Sequence, residues 1–218
     1  MAAQQSLEVK GYDSPDLPFY NALSPKKQSE ILDQLKVFLR TIEAVVSSGD
    51  RLDNHERSLW HALMTLGLVP PSDWFSKLSA GDVLEIYDLQ NIQLWRNFNF
   101  MKICSYTLEE MYSIDWPNRY IRPSEKNHEI LDAIRIVTTD TGTDVYFGEV
   151  REHILEETSS SDRLILEARH DWFSRVRNTQ GETVGWMVNS TVRILGKGLN
   201  KTDLRPKLQV AYSRPPEL

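Results

Sequence analysis

Residues 82–111 read DVLEIYDLQNIQLWRNFNFMKICSYTLEEM, and the parsing of this stretch decides the fold. Val83 to Tyr87 reads as a strand, Asp88 to Asn91 as a turn, and Ile92 to Trp95 as the returning strand of a hairpin. Asn97 to Cys104 then reads as a short apolar helix. Thr107 followed by Glu110 has the form of a capping box, in which hydroxyl and carboxylate satisfy the free N–H groups of a helix start. Two strands followed by short helices open an α+β domain on an antiparallel sheet.

Downstream, Pro117 and Pro123 punctuate the chain, and Lys126 to Val137 is helical in period, with Ile130, Leu131, Ile134 and Val137 on one side. A turn at Asp140–Thr143 leads into a β run from Asp144 to Glu156, and a polar turn follows at Ser159–Asp162. Leu164 to Arg169 and Trp172 to Val176 continue it, and Asn178–Gly181 turns into a last strand, Thr183 to Leu195. Along that strand Val184, Trp186, Val188 and Ser190 point one way, and Met187, Asn189 and Thr191 the other. The expectation is a five-stranded antiparallel sheet with its short helices on one face.

Upstream, residues 1–23 read as a poorly ordered lead-in. Residues 24–80 form a helical segment. Ser24-Pro25 is a helix start, and Ile31, Leu35, Phe38 and Ile42 follow at alternating spacings of four and three, widened by Leu32, Leu39 and Val46. That stripe packs on its own domain or forms a dimer seam. A second helix, from about Asn54 to Leu66, reads as capped by Asp53 with Glu56, and Gly67 sits at its C-terminal end. Ser72 restarts a short helix through Trp74, Phe75 and Leu78. The domain proper spans 82–195, and 196–218 is a polar tail.

A net charge of −6 argues against a nucleic-acid partner. Cys104 is the single cysteine, so no intramolecular disulfide forms. The N-terminus lacks the form of a signal peptide, and no apolar run approaches the roughly 20 residues that span a bilayer. A reduced cytoplasm, with no membrane association, is the expectation.

With these residues, the element order resembles the PAS family of sensory and regulatory domains. The likeness lies in Tyr87-Asp88-Leu89, Trp95-Arg96-Asn97, Phe100 and Ser105 to Met111, then Arg122-Pro123 before the long helix. It continues in Ser161-Asp162-Arg163 and Gly181-Glu182-Thr183-Val184-Gly185, and covers about residues 82–195. Ser105 stands where the family favours Gly, and Asn189-Ser190-Thr191 stands where many sensors have Asp-Ile-Thr. The resemblance implies a cavity between the small helices and the inner sheet face, and output through the N-terminal helices.

No catalytic constellation is nominated. Cys104 lacks the flavin-adduct context of light-sensing PAS domains and reads as a small apolar residue. His128, on the helix that carries the axial ligand in some haem-binding relatives, sits in a charged run that suits a solvated helix start. No histidine or cysteine pair stands at metal-ligand spacing, so neither metal nor cofactor is expected. His170-Asp171 and Glu152-His153 are neighbours that face opposite sides of a strand, and Glu109-Glu110 reads as solvated. The arginines of the sheet, interleaved with Glu149, Glu152, Glu156 and Glu167, read as cross-strand ion pairs. The aromatic set Trp95, Phe100, Tyr106, Tyr112, Trp116, Trp172 and Trp186 is either the wall of a small-molecule site or a filled core. Tyr106 and Tyr112 are its polar handles. The reading is a non-enzymatic module that binds a small apolar or aromatic ligand, a partner protein or a second copy. Its rivals are a small isomerase- or dehydratase-type cavity enzyme and a pure dimerisation scaffold.

Overall fold

The computed structural model describes residues 16–71, 74–139, 142–147, 150–159 and 163–198. The predicted turns at 140–141 and 160–162, the helix restart at Ser72, the first fifteen residues and the tail from 199 lie outside these. The helices are α1 Pro18–Asn21, α2 Pro25–Ser47, α3 His55–Leu66, α4 Phe98–Lys102, α5 Leu108–Ser113, α6 Trp116–Arg119 and α7 Ser124–Thr138. The strands are β1 Leu68–Val69, β2 Val83–Asp88, β3 Gln93–Arg96, β4 Tyr120–Ile121, β5 Val145–Tyr146, β6 Val150–Glu157, β7 Leu164–Asn178 and β8 Thr183–Lys197. The chain is α+β, with a helical N-terminal segment and one antiparallel sheet ordered β3-β2-β8-β7-β6-β4.

Among the described residues the sheet has eight strands, not five. The cause is the length of β7. One side pairs with β8 from end to end, while the other takes three shorter segments in turn: β6 along Ile165–His170, β5 at Phe173–Ser174 and β1 at Arg177–Asn178. Through β1, the helical N-terminal segment is hydrogen-bonded into the sheet.

The sheet is covered on both faces, one of them by the N-terminal segment. Leu84, Ile86, Trp95, Trp172, Val176 and Met187 form one core with Ile31, Phe38, Leu59, Leu63 and Trp74 of the N-terminal segment. Tyr87, Phe173, Trp186 and Val188 form another, with Ile130, Ile134 and Val137 of α7. Strand β2 shows why: in VLEIYD both alternating sets are largely apolar, the pattern of a strand covered on both sides.

Local chemistry explains the helix ends. Ser24 Oγ accepts from Lys27 N (3.3 Å) at the start of α2. Asn54, not Asp53, caps α3 by accepting from Arg57 N (3.1 Å), because Asp53 is taken up by Arg51 at 2.8 Å. Gly67 ends α3 at φ 65°, a left-handed position that suits glycine. The capping box of Thr107 and Glu110 is present on α5. Within the stretch read as a lead-in, α1 is helical because Glu109 accepts from the N–H groups of Phe19 and Tyr20 (2.8 and 2.9 Å). Leu32 and Leu39, read as widening the apolar stripe, are exposed on α2, as are Trp60 and Met64 on α3.

Candidate functional site

Beneath α7, on the second face of the sheet, lies a cavity of about 60 Å³. Strands β2, β7 and β8 supply its floor, with Tyr87, Phe173, Trp186 and Val188. Phe100 of α4, Trp116 of α6, Tyr120 of β4 and Ile130 of α7 close it. Tyr87 and Trp186 stack, and Trp186 is fixed further by its Nε1–H, which donates to Asn91 Oδ1 (3.0 Å) in the β2–β3 turn.

Five polar residues line these walls: Glu85, Arg119, Arg122, His170 and Ser190. Three are tied to one another or to the frame. Glu85 accepts from the Tyr87 hydroxyl (2.5 Å) and from Gln93 Nε2. Arg119 donates to Gln93 Oε1 (2.8 Å) and to the carbonyls of Ile114 (3.0 Å) and Met111 (2.5 Å). Ser190 Oγ meets His170 Nδ1 at 2.7 Å. The remaining ring nitrogen, His170 Nε2, is buried without a partner. Arg122 lies over the rings of Trp116 and Tyr120, 5.7 and 5.5 Å from their centroids, and its buried Nε also lacks a partner.

Burial holds the His170 imidazole well below its usual range, with the Arg122 charge and His153 adding to the effect, so the ring is neutral. That bears on chemistry. A serine within reach of a histidine is the start of a nucleophile–base pair, yet this base is poorly basic, and no third group holds its far nitrogen. A second grouping sits away from the cavity, where His61 Nε2 meets both Ser48 Oγ and Asp50 Oδ2 at 2.9 Å. Both partners share one ring nitrogen, whereas a relay needs them on opposite nitrogens. Arg57 and His61 hold Asp50 down at about 2. Burial pushes the Cys104 thiol up to about 12, which removes it as a nucleophile near neutral pH. His128 is exposed on α7, away from the cavity. Among the described residues no group of three or more His, Cys, Asp or Glu could hold a metal ion, and no helix is long and apolar enough to cross a membrane.

Of the seven aromatic residues nominated by sequence, Phe100, Trp116 and Trp186 line the cavity. Tyr106 packs just behind it with Phe100, and its hydroxyl accepts from Thr158 N (2.9 Å) and donates to the Arg119 carbonyl. Trp95, Tyr112 and Trp172 belong to the core under α2 and α3. Strand irregularities send the two tryptophans there. Asp171 is an extra residue between His170 and Trp172, so His170 faces the cavity and Trp172 packs on Trp74, 4.1 Å between centroids. A like slip at Leu94 pairs Trp95 with Ile86. Val184, read as sharing the side of Trp186, packs instead against the Met187 core, because Gly185 pairs with Val176 and Thr183 with Arg177. The stripe read as packing either at home or on a second copy lies against its own sheet: Ile31 and Phe38 are buried, and Leu35 and Ile42 pack against the same core.

Arg119, Arg122, Glu85 and His170 were not nominated. The spacing of His170 from Ala168 and Leu166, at two and four residues, was the available signal for its face. Nothing in the string marks Arg122.

No protein-family model matches the chain, and no curated protein matches it in sequence. Among solved structures, the chain is similar to the crystal structure of a PAS domain of a protein from Colwellia psychrerythraea, at 15% identity and a TM-score of 0.36. The match covers 53% of this chain and 87% of that one.

Proposed function

We propose that the chain is a non-enzymatic sensory or regulatory module that binds a small apolar or aromatic ligand in the cavity beneath α7. The observation that carries this reading is the cavity itself: aromatic walls, with buried polar atoms of Arg122, His170 and Trp116 that no described residue satisfies. Buried polar groups ordinarily find partners, and a ligand site is where such an exception has a physical reason. The same strand touches both cores, since Tyr87 lines the cavity while Leu84 and Ile86 pack under α2 and α3. A ligand that favours one arrangement of β2 therefore biases the helices on the far side, to the extent of its different affinities for the two arrangements.

A second reading, a packed interaction module, is favoured by the volume of about 60 Å³, well below the roughly 300–1,000 Å³ of ordinary ligand pockets. Native mass spectrometry of gently purified protein, with a thermal-shift screen of small metabolites, separates the two. A retained small molecule or a saturable rise in Tm supports the ligand module. A bare mass and a flat screen support the packed module.

A further inference from the structure

We infer that the occupant of this cavity is a small carboxylic acid whose carboxylate is taken by Arg122. The inference rests on the ligand-binding reading above and adds the ligand's chemical class. Arg122 is the cationic group of the cavity that remains uncommitted. It makes no hydrogen bond or ion pair with any described residue, and its contacts are the faces of Trp116 and Tyr120. Arg119, by contrast, gives its donors to Gln93 and two carbonyls.

The cavity contains one carboxylate, Glu85, and it is already satisfied by Tyr87 and Gln93. Two guanidinium groups against one carboxylate leave the lining net positive. The Arg122 side chain is half-buried with its Nε shut off from solvent, and burial pushes the guanidinium below its usual range. A planar fork of donors fits a carboxylate through two parallel hydrogen bonds, a geometry that neither an alcohol nor an amide supplies. The indole N–H of Trp116 and His170 Nε2, both buried and unpartnered, are further polar atoms of the lining. The volume limits the rest of the molecule. About 60 Å³ is under half of the roughly 150 Å³ apolar cavity that admits benzene, so the acyl chain is short.

The test is calorimetric titration and thermal shift of the full chain with sodium acetate, propionate and butyrate, against equal sodium chloride, and with butan-1-ol and butyramide. The expected result is saturable binding of at least one acid, little binding of the neutral analogues, and a loss of about ten- to a hundredfold in Arg122→Gln. Arg122→Lys should retain part of the affinity, which keeps the comparison available where the Gln variant folds poorly. If butan-1-ol binds as well as butyrate, the cavity remains a ligand site and the acid inference is overturned. Unchanged butyrate affinity in a folded Arg122→Gln protein overturns it too. No binding by any probe overturns the inference, while the reading beneath it stands or falls with the metabolite screen.

Discussion

Tyr87 and Trp186 lie stacked on neighbouring strands, 4.2 Å between ring centroids and 9° between planes, and together form one wall of the cavity. Removing one ring of such a pair leaves the other without its neighbour. Trp186→Ala should cost about 3–5 kcal/mol and enlarge the cavity. Urea denaturation reads the first effect. A rise in Tm on adding benzene, seen in the variant and not in the wild type, reads the second.

Phe38 is 5% exposed and meets Tyr112 edge-on at 6.4 Å, whereas Leu32, six residues earlier on the same helix, is 45% exposed. Phe38→Ala should therefore cost about 3–5 kcal/mol of chain stability, as a cavity in the core does. Leu32→Ala should stay within about 0.5 kcal/mol. Denaturation run beside sedimentation separates this from a dimer seam, in which Phe38→Ala would change the mass and leave the chain as stable as before.

Acid should weaken the fold through two of its histidines. Burial lowers the His170 and His55 pKa values in the native state, while in the unfolded chain both sit near 6.5. Below about pH 6.5 the unfolded chain therefore binds more protons than the native one. Stability is full above that pH and falls as pH drops toward 5. His170→Asn should flatten the slope between pH 7 and 5.5, measured by tryptophan fluorescence in urea. A slope unchanged in the variant would remove His170 from the account.

Gly185 sits on β8 where a Cβ would come within 2.1 Å of the Tyr87 carbonyl oxygen, a backbone atom that cannot swing aside. Gly185→Ala should force β2 from β8 and destabilise the chain severely. Gly196, farther along the same strand, has nothing within 4 Å of an added Cβ, so Gly196→Ala should be close to neutral. Circular dichroism melts of the two variants provide the comparison.

Short-range signals in the string translated well. Ser24, Gly67 and the Thr107–Glu110 pair act through atoms a few residues apart, and each does what its spacing predicts. The faces of the strands were legible only where pairing is regular. Trp186, Val188 and Ser190 line the cavity as alternation requires, but extra residues at Leu94, Asp171 and Val184 shift the register and carry Trp95, Trp172 and Val184 to the far side. A single inserted residue is a tertiary decision with no local marker. The arginines divide in the same way. Arg169 with Glu152 (3.9 Å) is a cross-strand ion pair of the kind expected, while Arg175 lies 3.6 Å from Asp144 and also donates to the Val137 and Gly142 carbonyls (2.7 and 3.1 Å) around the end of α7. Arg122 acquires its surroundings from Trp116 and Tyr120, and only the finished fold shows that no described residue forms an ion pair with it.

The pairing of β2 with β8 also has a consequence in time. Asp82 and Asn189, hydrogen-bonded at 2.7 Å at the end of that pairing, are separated by 107 positions in the chain. At ordinary rates of protein synthesis, roughly 5–20 residues per second, β2 leaves the ribosome some 5–20 s before its partner exists. Throughout that interval the hairpin is an open edge, apolar on both faces, and vulnerable to pairing with another chain. Helices α2 and α3 are made earlier and already carry the side chains that cover Leu84, Ile86 and Trp95. The N-terminal segment thus shelters a nascent hairpin, a duty complete before β8 arrives and independent of anything the cavity later holds.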